Sequence, residues 1–589
     1  MLQVLAECGR LDTGLMSRLL DKPEQEVIAQ LVTADLIYKE PNSQQYQTAD
    51  EYLSGNVRQK LKDAQGATLL DPAYERNVKA LEAVQPEIVL FIDIDVRLGQ
   101  TWVPTEVYIA FLNRHLAEQR PASGDRAPSI TRDINGRWSV DLPSCYNTFE
   151  LTHKWAGGGM SGHKLLEYGL NLQEPTLYEN NADGKPVIDT VRTIAARARL
   201  REIKDAFTEW IKDDKQADIH PQIERIYNET FNANRLRIYD GGHLNFPGLN
   251  PTIVPRPYQM RGAWRAMVEG RALLDHFVGS GKSLTVIIAG MESRRIGISR
   301  KNLYVVPNNM IQQWREEFKK AYPSANVLAV TERDFDSPLS RKRLISRVAT
   351  NEWDAVIVPH SQFDMLPISP EREAKTVNAQ MQEMKDLLRE SSENGRTKTR
   401  AEKRTTRQIE NKIQKYKEKL KELSQGRKDD TIYFDDLGVD RLFVDEAHAY
   451  KALAIVTKMG NIAGISTRES QRAQRILAKI EFMQETHNGA GVIFTTATPI
   501  TNTLGEQFVM TRYLARDILN KCSINNFDDW AANFAEPVTR MEYATDGVTI
   551  KPKTALANYV NVPELQSIWS QFADVMMQDI HRRGQVISP

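Results

Sequence analysis

Apolar positions along the chain fall into two patterns, and the switches between them mark where elements begin and end. Short apolar stretches at 273–277, 442–444 and 492–494 lead into polar or small residues, the first with Asp275 and His276 inside it. Runs of that length predict strands buried on both faces, as in parallel α/β sheets. Elsewhere the spacing is helical. Ile203, Phe207 and Trp210 share one face, so 190–234 reads as helical with that face in the core. Val377, Met381, Met384 and Leu388 recur at steps of four, three and four, and Ile409, Ile413, Tyr416, Leu420 and Leu423 repeat the pattern. Two helices over about 371–430, joined near 393–396, are expected to pack as an antiparallel hairpin.

The flanks are less regular. Residues 14–49 read as two short helices, an apolar strand, a Pro-Asn-Ser turn and a polar strand, the outline of a winged helix. Its second helix, 24–34, carries Glu24 and Glu26 and little basic charge, which favours a packing module over a duplex contact. Residues 53–116 read as α+β around a strand-length apolar run at 88–92. Gly157, Gly162 and Lys164 imitate a phosphate loop, but His163 separates the lysine from its glycine, so a turn is expected. Past Thr498 the spacing predicts helices at 505–520, 526–534 and 563–580.

A length of 589 residues implies about three to five compact units. The 77 basic and 77 acidic residues cancel, and 41% apolar with 26% charged residues excludes collagenous, mucin-like and wholly disordered chains. Cys8, Cys145 and Cys522 lie far apart without CxxC spacing, which argues against a zinc ribbon or a disulfide framework and for a reducing cytosol. No apolar run approaches the roughly 18 residues of a spanning helix, and the first residues lack a secretory pattern, so no membrane partner is expected.

The neutral total conceals a basic arm. From 396 to 428 there are 13 Lys or Arg against four Glu. Arg400, Lys403, Arg404 and Arg407 could contact phosphates and give salt-dependent, sequence-independent affinity. A solvated coiled-coil face is the equal alternative.

Candidate chemistry gathers at the ends of these three stretches. The first leads into Val278, Gly279, Ser280 and Gly281 and then a helix, the strand–loop–helix context of a nucleotide loop. Gly279 and Gly281 would let backbone N–H groups approach phosphates, Lys282 would reach the β- and γ-phosphates, and Ser283 would take one position on Mg²⁺. One departure stands out: the pattern GxxxxGK[ST] expects glycine where His276 lies, which leaves a Gly-rich strand-to-helix turn as the alternative. The second run delivers Asp445 and Glu446, which could hold Mg²⁺ and orient or deprotonate water, or merely cap a helix. The third ends in Thr495, Thr496, Ala497 and Thr498, whose hydroxyls could hydrogen-bond His448 and a nucleic-acid backbone, or form a Thr-rich turn before Pro499.

Taken in order, GSGKS, DEAH and TAT resemble superfamily 2 helicases and translocases of the Swi/Snf-like kind, with the DEAH form of the second motif. The resemblance implies a RecA-like parallel-sheet lobe, ATP and Mg²⁺ as cofactors, and DNA, as duplex, for a partner. Pro257, Tyr258 and Gln259 match the motif whose glutamine reads the adenine edge. LYVVPNNMIQQWREEF and WDAVIVPHSQF resemble the next two motifs, which implies nucleic-acid contacts for Pro307, Asn308 and His360. The wider phrases YNETFNANRLRIYDGGHLNFPGLNP, HFVGSGKS and TATPITNTLGEQFVMTRYL resemble large phage and plasmid proteins that fuse a DNA methyltransferase to such a motor, among them Dar-type antirestriction proteins. That family implies a bacterial host's cytoplasm, or a virion, as the location.

The match is strongest over 206–573. The expected organisation is a winged-helix-like module over 1–60, an α+β accessory region over 61–250, the ATP-binding lobe over 251–515 with its insert near 370–430, and a helical extension over 516–589 leading to a second lobe elsewhere. Neither a second strand-rich lobe with its arginine motif nor a methyltransferase Asn/Asp-Pro-Pro-Tyr/Phe signature is read in the chain. The expectation is therefore an ATP hydrolase lobe that is weak on its own. The alternatives are a non-catalytic DNA-binding or virion structural protein with a vestigial loop, and the motor subunit of a restriction enzyme.

Overall fold

A computed structural model describes residues 1–577 apart from 118–126, 134–136, 144–147, 181–185, 394–399, 426–432, 458, 460, 461, 464, 466–469, 502 and 544–549. Its centre is a seven-stranded sheet, all parallel, of RecA-like α/β architecture. In chain order the strands are β1 (Arg271–His276), β2 (Asn302–Val306), β3 (Val327–Ala329), β4 (Ala355–Pro359), β5 (Arg441–Asp445), β6 (Val492–Thr496) and β7 (Ala573–Met576). Their order across the sheet is β3-β4-β2-β5-β6-β1-β7. The strands of β2, β4, β5 and β6 are buried at every position, because helices cover both faces.

On one face lie α1 (Pro257–Glu269), α2 (Lys282–Arg295) and α3 (Ile311–Ala321). Trp264, Ile287, Trp314 and Phe318 pack there against Leu274, Tyr304 and Phe443. The expected hairpin is present as α4 (Pro370–Glu393) and α5 (Arg400–Gln425), closed over Val377, Met381, Met384, Ile413 and Tyr416. The opposite sheet face is covered in part by α6 (Gln471–Thr486), whose Ile476, Leu477, Ile480 and Met483 meet Val444 and Phe494 in one cluster. Glu383 of α4 accepts from Arg512 and Arg516, and Glu485 of α6 pairs with Arg372 and Lys375, so the hairpin base is braced to the lobe.

Several expectations are corrected. The run at 88–92 is an extended segment entering a 3₁₀ turn at Phe91–Asp93, with Ile88, Leu90 and Ile92 exposed, and among the described residues no strand pairs with it. The stretch after Thr498 is helical only to Phe534. Ala535–Tyr543 and Ile550–Tyr559 form an antiparallel hairpin. The helix expected at 563–580 is shorter: α7 (Val562–Ser570) stops, and the chain then pairs with β1 as β7, while 578–580 lie outside the described residues. The open edge of β1 offers a parallel ladder that local helical spacing does not foresee. Ala573–Met576 thus adds the seventh strand of the sheet.

At the N-terminus, helices Thr13–Leu20 and Glu24–Thr33 precede a two-stranded ribbon, Ile37–Lys39 with Tyr46–Thr48. The long helix Thr190–Lys212 buries Ile203, Phe207 and Trp210. Among the described residues no helix is long and apolar enough to cross a membrane.

Candidate functional site

The carboxyl ends of β1, β6 and β5 lie side by side, so three separate segments of sequence meet at one sheet edge. From β1 the chain turns through Val278–Gly281 into α2. Gly279 and Gly281 take φ of +84° and +79°, a region that side-chain-bearing residues rarely adopt, and a Cβ on Gly279 would meet nothing within 4 Å. The loop apex is open, with Val278 81% exposed. Ser280 is buried and its Oγ finds no partner. Lys282 is buried, and its Nζ donates to the His276 carbonyl at 3.1 Å and the Phe277 carbonyl at 3.4 Å. Ser283 sits half-buried at the start of α2.

Gln259 closes the loop from α1. Its Nε2 donates to the carbonyls of Ser280 and Gly281, both at 3.3 Å, while Oε1 accepts from Arg256 N. Tyr258, quoted in the sequence but given no role there, donates its hydroxyl to the Ser280 carbonyl at 2.8 Å.

Asp445 ends β5. Thr495 donates to its Oδ1 at 2.6 Å, where a bond to His448 or to a nucleic-acid backbone was expected of that hydroxyl. Burial pushes the Asp445 carboxyl up; the Thr495 hydrogen bond and the Lys282 charge act against that. Glu446 follows with φ 50° and ψ 50°, a left-handed conformation that costs a non-glycine residue on the order of 1–2 kcal/mol. His448 Nδ1 lies 3.0 Å from Glu446 Oε2 and 3.1 Å from Thr496 Oγ1, which also accepts from Thr498 N at 3.1 Å. One ring nitrogen thus joins the Asp-Glu-Ala-His segment to the Thr-Ala-Thr segment, with Ala497 between the two threonines.

Pro307, Asn308 and His360 follow the adjacent strands β2 and β4 at the same sheet edge, whereas the basic residues belong to the hairpin. Asn308 is exposed and its Oδ1 accepts from Ser361 N at 3.1 Å; Pro307 caps the turn before it. His360 departs from the expectation of a nucleic-acid contact: it is 5% exposed, and its Nε2 bonds the Asp445 carbonyl at 2.8 Å. Burial pushes its pKa down to about 4, so near neutral pH the ring is uncharged and Nε2–H donates. It braces β5 from within. Arg407 is exposed on α5, far from the sheet edge in sequence; the side chains of Arg400, Lys403 and Arg404 lie outside the described residues.

The residues present fit a nucleotide with Mg²⁺. The loop offers an open apex, glycines in the required conformation, a buried lysine that now bonds only carbonyls, and an orphaned serine hydroxyl. A buried carboxylate at the end of β5 suits Mg²⁺, which takes few protein ligands and several from phosphate and water.

A family model described as a probable helicase domain matches residues 264–577, from within α1 to just past β7. The chain belongs to that helicase-domain family. Two other models match ahead of it: a domain of unknown function over 97–233, and a probable helicase winged helix domain over 1–47. Outside the helicase domain as well as within it, the chain is similar to the defense against restriction protein B of Escherichia phage P1, 23% identical over 560 residues, which is 86% of this chain and 24% of that protein. It is also 25% identical over 233 residues to the DNA repair protein RAD5 of Debaryomyces hansenii, covering 36% of the chain and 17% of the relative. The chain therefore spans less than a quarter of the length of these relatives. Among solved structures, the Sulfolobus solfataricus SWI2/SNF2 ATPase core in complex with dsDNA is similar at 14% identity and a TM-score of 0.29, over 56% of this chain and 46% of that one.

Proposed function

We propose that this chain is the ATP-binding lobe of a DNA-dependent ATPase of the superfamily 2, Swi/Snf-like, DEAH type, working as a translocase or helicase within a phage or plasmid antirestriction system. The observation that carries this is the meeting of Lys282, Asp445 with Glu446, and the His448–Thr496 link at the ends of three adjacent strands. The similarity to a phage protein named for defense against restriction supports the biological setting.

In this reading Mg-ATP supplies the phosphoanhydride bond and its charge. The Gly279–Gly281 amides would cradle the phosphates, and Lys282 would exchange two loop carbonyls for phosphate oxygens. Ser283 and Asp445 would hold the cation. Glu446 would orient the attacking water and take its proton, and Gln259 would exchange its bonds to the loop for the adenine edge. His448 and Thr496 would report the state of the hydrolytic carboxylate to the Thr-Ala-Thr segment. Pro307 and Asn308, with Arg400, Lys403, Arg404 and Arg407, would contact the DNA backbone. A second RecA-like lobe elsewhere in the full protein would supply arginines, a contribution worth about 10³–10⁵ in rate, and a methyltransferase domain would belong to the same protein or system.

One observation favours the rival reading of a non-catalytic DNA-binding protein: the Lys282 ammonium is already satisfied by its own loop. The two readings part over turnover. In the protein carrying both lobes, DNA-stimulated ATP hydrolysis should vanish in Glu446→Gln while nucleotide binding persists. Turnover that survives this substitution removes Glu446 from the mechanism, and no turnover in the unsubstituted protein favours the rival.

A further inference from the structure

The residue that breaks the nucleotide-loop pattern has a partner at the far end of the chain. His276 ends β1 with an ordinary backbone conformation, so glycine is not needed there for φ. Its side chain is 1% exposed, and Nε2 lies 2.9 Å from Oδ2 of Asp574 on β7, 298 residues later. The space is made by Gly262 of α1: a Cβ at that position would come within 3.3 Å of Asp574 Oδ2, His276 Cε1 and Thr285 Cγ2 alike. Tyr258 presents its ring edgewise to the imidazole, and Arg265 donates to the carbonyls of Ala573 and Ser570, fixing β7 from the same helix. The ladder between β1 and β7 continues into the loop itself, where Phe277 N donates to the Met576 carbonyl at 3.2 Å.

The carbonyls that hold Lys282 are those of His276 and Phe277. Whatever fixes the end of β1 therefore fixes the lysine. Burial would raise the Asp574 carboxyl, but the His276 hydrogen bond and charge outweigh it with help from Arg265 and Arg261, and its pKa is lowered. A charge-assisted pair in a partly buried place is strong enough to hold a strand end in register.

We propose that His276 and Asp574 are positioning residues for the nucleotide site: a side-chain strut between the phosphate loop and β7 that fixes the loop carbonyls to which Lys282 is bonded. This rests on the reading of the loop as a nucleotide site, and extends it to residues that no motif assigns.

The test is a double-mutant cycle on the full chain: Asp574→Asn, His276→Gln and both together. Two quantities are read, the dissociation constant for Mg-ATP and the hydrogen exchange of the 277–282 amides. Each single substitution should weaken binding about tenfold and speed exchange in that loop, with exchange in β4 and α6 unchanged. The double variant should be no worse than either single one, because both remove one strut. Asp574→Glu, which keeps the carboxylate, should recover most of the loss and guards against a folding defect in Asp574→Asn. Single effects that add, or loop exchange and affinity within twofold of the unsubstituted chain, would overturn the strut. If the unsubstituted chain binds no nucleotide, the site reading fails, and the exchange data still decide the strut.

Discussion

At the scale of single residues, the site is built from groups whose ordinary properties have been bent by burial. Glu446 holds a left-handed backbone next to the half-buried His448. His360 is kept neutral beneath β5, with its pKa pushed down to about 4 from 6.5. The unfolded chain therefore binds more protons than the folded one between those values. Stability should rise with pH across that window and be lost as pH falls from 6.5 toward 4, by about 3 kcal/mol at most. Denaturant unfolding at pH 4.5, 5.5 and 7 should show this slope in the unsubstituted chain and a flatter one in His360→Asn; equal slopes would mean another group carries the effect. Candidate residues were legible as groups where they are contiguous in sequence, as in Gly279 to Ser283 or Asp445 to His448. The Thr495–Asp445 and His276–Asp574 pairs were not, because each joins groups brought together only by strand order.

Among elements, the apolar runs announced β5 and β6 because strands covered on both faces leave no polar alternation to confuse, and β1 was legible despite Asp275 and His276 from the glycine loop and helix that follow it. The hairpin of α4 and α5 was equally plain from its heptad-like spacing. It has a small hydrophobic cluster of its own, centred on Met384, Ile413 and Tyr416, so it should open locally without taking the sheet with it. Met384→Ala should cost the hairpin about 2–3 kcal/mol and hasten protease cleavage within 370–425 while Mg-ATP affinity stays within twofold. Cleavage spread over the whole lobe would show that the hairpin is not a separate unit. If the basic arm contacts phosphates, replacing Arg400, Lys403, Arg404 and Arg407 by serine should reduce the slope of log affinity against log salt by about 3, and an unchanged slope would leave the arm a solvated face. The strand β7 was missed for the converse reason. The sequence 563–580 has helical spacing, but the ladder to β1 and the Arg265 bonds to Ala573 and Ser570 outweigh it.

Considered as one molecule, the chain does not separate into an accessory block and a motor block. A single hydrophobic cluster runs from Ile94, through Trp138, Phe207 and Trp210, to Val444, Trp530 and Ala573. Polar contacts cross the same boundary: Tyr227 donates to Glu564 at 2.6 Å in a buried setting, Asn533 to Thr101, and Arg132 to Asp529. Thermal unfolding of the region from Ile94 to Ala573 should therefore be one calorimetric transition. Glu564→Ala, which leaves the Tyr227 hydroxyl buried without an acceptor, should lower it as a whole by a cost of about 1–3 kcal/mol. Two separable transitions would contradict a shared core. The division at 250 that the family resemblance implies is a proposal about sequence units, and packing crosses it freely.

The central claim, that the sheet edge formed by β1, β5 and β6 is a nucleotide site, is tested most directly by equilibrium binding of Mg-ATP to the chain, alone and with duplex DNA, alongside Lys282→Ala. The account predicts saturable binding that the substitution abolishes, with a melting temperature close to the parent's because the lysine loses only hydrogen bonds to two loop carbonyls. Equal affinity in both proteins, or none in the parent, would contradict it.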